Sequence, residues 1–133
     1  MFDTTRAFSS FAVPNTSAAK SFYRDTLVIE MSEQGEILGL QLSDGCSVMI
    51  YPKVDHAPAP YTILNFEVDD IDAAVDALAE RGVQVTRYSG TATGTDTDER
   101  GIFRVGGLAQ AWFTDPGGNI LSVLQPSGAS KTS

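Results

Sequence analysis

The chain has 133 residues, of which 42% are hydrophobic and 20% charged, and it carries a formal net charge of −8 with one histidine and one cysteine. This composition is typical of one globular domain, and the acidic charge disfavours binding to a phosphate backbone. No apolar run reaches the roughly 18 residues of a membrane span, the first ten residues lack secretory-leader features, and Cys46 has no second cysteine to pair with. We therefore expect a cytoplasmic protein with no nucleic-acid or membrane partner.

The first half of the chain predicts a strand, a helix and three further strands. Alternating side chains over 6–13 indicate the first strand. A helix over 17–26 follows, capped by Asn15 or Thr16, because apolar side chains recur there at helical spacing. The remaining strands are predicted over 29–32, 37–42 and 47–51, separated by the turn segments 33–36 and 43–46.

The second half repeats this order after a proline-containing linker over 56–60. A strand over 61–68 leads to a helix over 71–81, which Asp69 or Asp70 caps and Gly82 ends. Further strands are predicted over 83–88, 101–105, 109–114 and 120–124. The polar segment 89–100 between two of them predicts a long loop, a length that is often functional or mobile.

The two halves are copies of one unit. Phe8–Met31 aligns without a gap onto Ile63–Thr86, at a constant offset of 55 positions. Such a duplication predicts a pseudo-symmetric α+β domain of two βαβββ modules, which form a curved mixed sheet with the helices on its outer face. We assign the domain to 1–125, with module one over 6–52, module two over 61–125 and a flexible tail over 126–133.

Three motifs carry a resemblance to a known family. They are Val13 with the capped helix that contains Phe22 and Tyr23, the segment Asn65–Asp72, and the turn Phe113–Asn119. Together they resemble the vicinal oxygen chelate superfamily, which includes glyoxalase I, extradiol dioxygenases, fosfomycin-modifying enzymes and bleomycin-binding resistance proteins. The resemblance covers Phe8 to Leu124 and is more specific for the fold than for an activity.

The resemblance also identifies four positions at which metal-dependent relatives carry His or Glu ligands. In this chain they are Phe8, Met49, Ile63 and Ser122. Two hydrocarbons, a thioether and a neutral hydroxyl are poor ligands for a hard or borderline divalent ion. We therefore predict no metal and no cofactor.

The same positions predict a pocket with an apolar floor and a few polar groups. Asn65 and Glu67 share a strand face with Ile63, where they either orient a ligand or pair with neighbours and solvent. Either Trp112 or Phe113 faces inward, and Arg100 and Arg104 either clamp a carboxylate or are solvated. The predicted ligand-binding residues are Phe8, Ser10, Met49, Tyr51, Ile63, Asn65, Trp112 and Ser122.

Three function classes remain open at this point. The first is a metal-independent protein that binds an apolar or aromatic small molecule, similar to the bleomycin-resistance branch. The alternative is a glyoxalase-like isomerase or lyase acting on a small carbonyl or hydroxy compound, with His56, Glu67 or Tyr51 as candidate acid or base. The third is a structural or regulatory dimer without a pocket, and the resemblance implies a homodimer in each case.

One position departs from the family pattern. Relatives usually carry Leu-Gly at the end of the first helix, where this chain has Leu27 and Val28. A β-branched residue resists the left-handed conformation that glycine adopts there. We therefore predict either a different helix exit or strain at Val28.

Overall fold

The computed structural model describes residues 7–42, 46–87 and 97–127. The chain divides into two compact units, Met1–Ala57 and Pro58–Ser133, which we call module one and module two. No helix in the described ranges is long and apolar enough to cross a membrane. The predicted tail beyond Ser127 and most of the predicted loop over 89–100 lie outside the described residues.

Each module consists of one four-stranded mixed sheet and one helical segment, which confirms the predicted α+β class. Module one contains β1 (Ser9–Val13), α1 (Thr16–Lys20) with a π-helical continuation (Ser21–Thr26), β2 (Glu30–Gln34), β3 (Ile37–Gln41) and β4 (Ser47–Pro52). Module two contains β5 (Thr62–Glu67), α2 (Ile71–Glu80), β6 (Ile102–Val105), β7 (Leu108–Thr114) and β8 (Ile120–Gln125). The strand orders are β1-β4-β3-β2 and β5-β8-β7-β6, with the first pair of each sheet parallel.

The duplication extends to the helix caps and to the strand register. Asn15 and Asp70, which are 55 positions apart, are the two N-caps, and their backbone angles are nearly the same (φ −139°, ψ 108° and φ −137°, ψ 104°). In the parallel strand pairs, Ser10 lies opposite Met49 just as Asn65 lies opposite Ser122. Equivalent positions of the two sheets can therefore be compared directly.

The core of each module lies between its sheet and its helix. Alternate residues of the central strands are buried against the helical segment, and among them Ile50 of β4 and Leu121 of β8 are 0% exposed. Burial of each such side chain contributes about 2 kcal/mol. On β1, Phe11 contacts the helical residue Tyr23 with ring centroids 5.9 Å apart. Residues on the opposite strand faces are more exposed, and we call that side the helix-free face.

The helix of module two ends in a Schellman motif at Gly82. The backbone N–H of Gly82 donates to the carbonyl of Ala79 at 3.0 Å, and that of Val83 donates to Leu78 at 2.9 Å. Gly82 has φ +79°, a left-handed conformation that glycine adopts without a steric penalty. This confirms the predicted role of Gly82 as the residue that stops the helix.

The helical segment of module one ends differently because it contains a π-helical turn. The N–H of Leu27 donates to Phe22 at 2.9 Å, five residues back, and that of Ile29 donates to Tyr23 at 3.0 Å. The wider turn takes up one more residue than the helix of module two, so the left-handed position falls on Val28. Val28 has φ +60°, which confirms the predicted strain at this residue.

Replacing Val28 with glycine is expected to raise the free energy of unfolding by about 1 kcal/mol, because relief of the left-handed strain outweighs the entropy that glycine adds to the unfolded chain. Val28 is 65% exposed, so the change removes little packing. Chemical denaturation of both proteins measures the difference. The matched control is Val54→Gly, at a fully exposed valine with an ordinary backbone conformation, and it is expected to lower stability slightly. Equal effects of the two changes would contradict strain at Val28.

The predicted strand over 83–88 is wrong for its described part. The backbone N–H of Val83 donates to Leu78 near the end of α2. In the described part of this segment, only Thr86 reaches the sheet, through one β-bridge to Trp112. The reason lies in β7, whose residues Leu108 to Ala111 are already paired with β6. Thr86 and β6 therefore share one edge of the sheet, and Tyr88 lies outside the described residues.

Candidate functional site

The helix-free face of module one contains a cavity. Met49 and Tyr51 of β4 alternate with the buried Val48 and Ile50, so they lie on this face. The cavity has a volume of about 400 Å³, within the range of small-molecule sites. Its lining includes Phe8, Ser32, Ile37, Gly39, Gln41 and Met49. Phe8 is 60% exposed, a large apolar side chain left open to solvent beside the cavity.

A glycine in the middle of β3 lines the cavity. Gly39 lies opposite Met49 on β4 and opposite Ser32 on β2. A Cβ atom at Gly39 would stand 2.6 Å from the Ser32 hydroxyl oxygen, so the backbone here approaches a side chain closely. In module two the equivalent position is Trp112, which lies opposite Ser122. At this equivalent position, the sheet of module one therefore has no side chain, whereas the sheet of module two has the largest one.

The helix-free face of module two carries a closed network of polar side chains. Gln110 Nε2 donates to Ser122 Oγ at 3.1 Å and to Asn65 Oδ1 at 3.3 Å, and the Ser122 hydroxyl donates to Asn65 Oδ1. Ser122 is 0% exposed, whereas Asn65 is exposed. The buried hydroxyl therefore joins the two amide groups in one closed ring of hydrogen bonds.

Trp112, and not Phe113, lies on the helix-free face. Phe113 is 1% exposed and pairs with the buried Leu121, whereas the Trp112 indole N–H donates to Thr62 Oγ1 at 3.0 Å. The ring of Phe103 lies beside it, with centroids 6.2 Å apart. Module two thus places an aromatic pair next to its polar network.

Ile63 lies at an irregularity in β5. The pairing of β5 with β8 shifts between Thr62 and Leu64, so Ile63 has no partner in register. Thr62 thereby becomes the neighbour of Trp112. No sequence signal identified Thr62, because a bulge leaves the composition of a strand unchanged.

The three candidate acid or base residues have different surroundings. His56 Nε2 is shielded from solvent and has no hydrogen-bond partner among the residues that the structure describes. Tyr51 is half-buried on β4 in the same module, and Glu67 is exposed at the end of β5 in module two. Near His56, a hydrogen bond from Lys53 to Asp55 at 2.7 Å raises the pKa of the ammonium group and lowers that of the carboxyl group, although both side chains are exposed.

Arg100 and Arg104 are paired with carboxylates of their own module. Arg100 donates to Asp72 at 3.0 Å and also to Asp76, both on α2. Arg104 donates to Asp72 at 3.3 Å. These pairs are partly exposed, so each stabilises the fold only slightly. Both guanidinium groups are exposed as well as paired with α2, which fits the predicted solvated charges, and a clamp on a ligand carboxylate stays a prediction.

The four positions equivalent to the ligands of metal-dependent relatives have different surroundings in the structure. Phe8 and Met49 line the cavity of module one, Ile63 lies at the irregularity in β5, and Ser122 is engaged by Asn65 and Gln110. Over 7–42, 46–87 and 97–127, no three His, Cys, Asp or Glu side chains form a group that could hold a metal ion.

These features belong to a known class of protein. The family model described as Glyoxalase/Bleomycin resistance protein/Dioxygenase superfamily matches residues 6–123, so the chain belongs to this superfamily. A comparison with curated proteins finds no match.

Solved structures share the fold over nearly the whole chain. One is TnmS3, an antibiotic binding protein from Streptomyces sp. CB03234, which is 25% identical with a TM-score of 0.62, covering 95% of this chain and 100% of that one. Another is a glyoxalase/bleomycin resistance protein from Catenulispora acidiphila, 23% identical with a TM-score of 0.63 over 90% and 96% of the two chains. The fosfomycin resistance protein FosX from Listeria monocytogenes is 10% identical with a TM-score of 0.67 over 96% and 97%.

Proposed function

We propose that this protein is a metal-independent small-molecule-binding protein that holds an apolar or aromatic ligand on a helix-free sheet face. The observation that carries the proposal is the cavity of about 400 Å³ in module one, whose lining includes Phe8 and Met49. Its lining combines apolar side chains with several polar ones, among them Glu33, Gln34 and Ser47, and ligand pockets use such polar groups to orient what they bind. The antibiotic binding protein TnmS3, at 25% identity, supports the same interpretation.

Metal independence is supported by the side chains at the family's ligand positions. Phe8 and Ile63 have no donor atom, and the Met49 thioether suits only soft metals. The remaining hydroxyl, on Ser122, already takes part in two hydrogen bonds and is 0% exposed. These four residues do not fit a divalent ion, so the proposal includes no step that requires one.

The binding test is a titration with neutral aromatic compounds after exhaustive chelation. We expect N-phenyl-1-naphthylamine, an apolar fluorescent probe, to bind the chelated protein, and its affinity to stay unchanged when zinc, nickel or iron is added. The probe needs only an apolar pocket, which the chelator leaves intact. Failure of this probe and of a panel of aromatic antibiotics to bind would contradict ligand binding. An affinity that returned only with added metal would contradict metal independence.

We also propose that the protein is a cytoplasmic homodimer. The resemblance to the family supports the dimer, and the lone cysteine fits a reducing compartment. Light scattering on the purified protein measures the assembly directly, and a monomer at every concentration would contradict the dimer.

A further inference from the structure

The polar network of module two leaves two amide groups with unused hydrogen-bonding capacity. Asn65 Oδ1 accepts from both Gln110 and Ser122, and Gln110 Nε2 donates to both of the others. Within the described part of the chain, the Asn65 amide nitrogen and the Gln110 carbonyl oxygen make no side-chain hydrogen bond. One donor and one acceptor therefore remain available.

This result does not depend on which way the two amides are turned. The three hydrogen bonds among Asn65, Gln110 and Ser122 form a closed ring. If both amide groups are rotated by half a turn, the same ring forms with each donor and acceptor exchanged. Asn65 then presents its oxygen, and Gln110 presents its nitrogen. The closed ring through the buried Ser122 hydroxyl permits either arrangement, and each presents one N–H donor beside one carbonyl acceptor.

The neighbouring aromatic side chains favour a flat partner for these groups. Trp112 lies opposite Ser122 on β7, and its ring lies 6.2 Å from that of Phe103. Its indole N–H donates to Thr62, so the Trp112 ring is held beside the amide pair. Aromatic rings stack favourably in offset or edge-to-face geometry.

We infer that Asn65 and Gln110 form a recognition element for a planar aromatic ligand with an amide-like edge, such as a lactam or a carboxamide. This inference rests on the proposed small-molecule-binding function and specifies its ligand class. A lactam edge carries an N–H donor next to a carbonyl acceptor, which matches the amide pair in both of its orientations. Neutral groups on both sides also avoid the cost of desolvating a charge.

Three related compounds test the inference. 2-Quinolone has the full lactam edge, N-methyl-2-quinolone lacks the N–H donor, and quinoline lacks both lactam groups. We expect 2-quinolone to bind about tenfold to thirtyfold more tightly than quinoline, as two net hydrogen bonds provide, with the N-methyl compound close to quinoline. In ¹H–¹⁵N spectra, the side-chain amide signals of Asn65 and Gln110 are expected to shift with 2-quinolone only.

Variants locate the effect in the amide pair. Asn65→Leu and Gln110→Met keep the approximate size of each side chain and are expected to remove the preference for 2-quinolone. The matched control is Gln84→Met, an exposed residue outside both sheets, which is expected to leave the preference unchanged. Thermal unfolding checks that each variant is folded, and if one is not, the amide signals of the unmodified protein decide.

The outcomes separate this inference from the proposed function. Equal binding of 2-quinolone and quinoline, or a preference that survives Asn65→Leu and Gln110→Met, would overturn the amide recognition element and leave ligand binding intact. If none of the three compounds binds and N-phenyl-1-naphthylamine also fails, the proposed function fails together with the inference.

Discussion

Replacing Gly39 with leucine is expected to lower the affinity for N-phenyl-1-naphthylamine at least tenfold, because the new side chain enters the cavity of module one. The backbone of Gly39 is not left-handed, so it accepts a side chain without conformational strain. The close Ser32 hydroxyl oxygen can rotate away from a new Cβ. Trp112 at the equivalent position of module two shows that the same sheet architecture accommodates a large residue there.

Fluorescence titration of the probe measures this loss. The matched control is Glu36→Leu, which adds the same side chain at an exposed turn outside the cavity lining, and its affinity is expected to equal that of the unmodified protein. A folded Gly39→Leu protein with unchanged affinity would show that the ligand does not occupy this cavity.

Replacing Asp115 with alanine is expected to lower the free energy of unfolding by about 3 kcal/mol, since it leaves buried donors unpaired. Asp115 is 4% exposed and holds the turn before β8. Its carboxylate accepts from the backbone N–H groups of Gly117 and Asn119 and from the Asn119 side chain, each at 2.9 Å. Loss of this turn also loosens the start of β8, the strand that carries Ser122.

Urea denaturation provides the measurement. Asp115→Asn keeps the shape and part of the accepting capacity, so it is expected to cost less than the alanine variant. Asp69→Ala removes an exposed carboxylate near α2 and is expected to leave stability nearly unchanged. A loss below about 1 kcal/mol for Asp115→Ala, which is no more than a single ordinary hydrogen bond contributes, would contradict the structural role of this turn.

The sequence was sufficient to predict the duplicated fold because its signals are local and occur twice. Asn15 and Asp70 are short polar residues directly before apolar-periodic segments, and both are N-caps. The missing glycine at Val28 was likewise visible as a conflict between residue type and backbone conformation. The π-helical turn before Val28 could not be predicted from the sequence. A hydrogen bond that spans five residues instead of four leaves the spacing of apolar residues almost unaltered.

The site was less predictable because it depends on contacts between strands. Alternation placed Trp112 and Phe113 on opposite faces but did not say which face was buried. The hydrogen bond from Gln110 to Asn65 joins residues 45 positions apart. It forms because β8 lies between β5 and β7 and sets the register of both strands. Gly39 gave no signal either, since its importance comes from comparison with Trp112 at the same place in the other sheet.

The shared edge of the second sheet has a consequence for chain length. Thr86 and Ile102 contact consecutive residues of β7, Trp112 and Ala111, so the polypeptide leaves that edge and rejoins it one position further along. The strand pairing therefore fixes where the chain leaves this edge and where it returns, and it sets no length for the connection between Thr86 and Ile102. A peptide tag inserted into this connection is therefore expected to leave the pairing of β6, β7 and β8 unchanged.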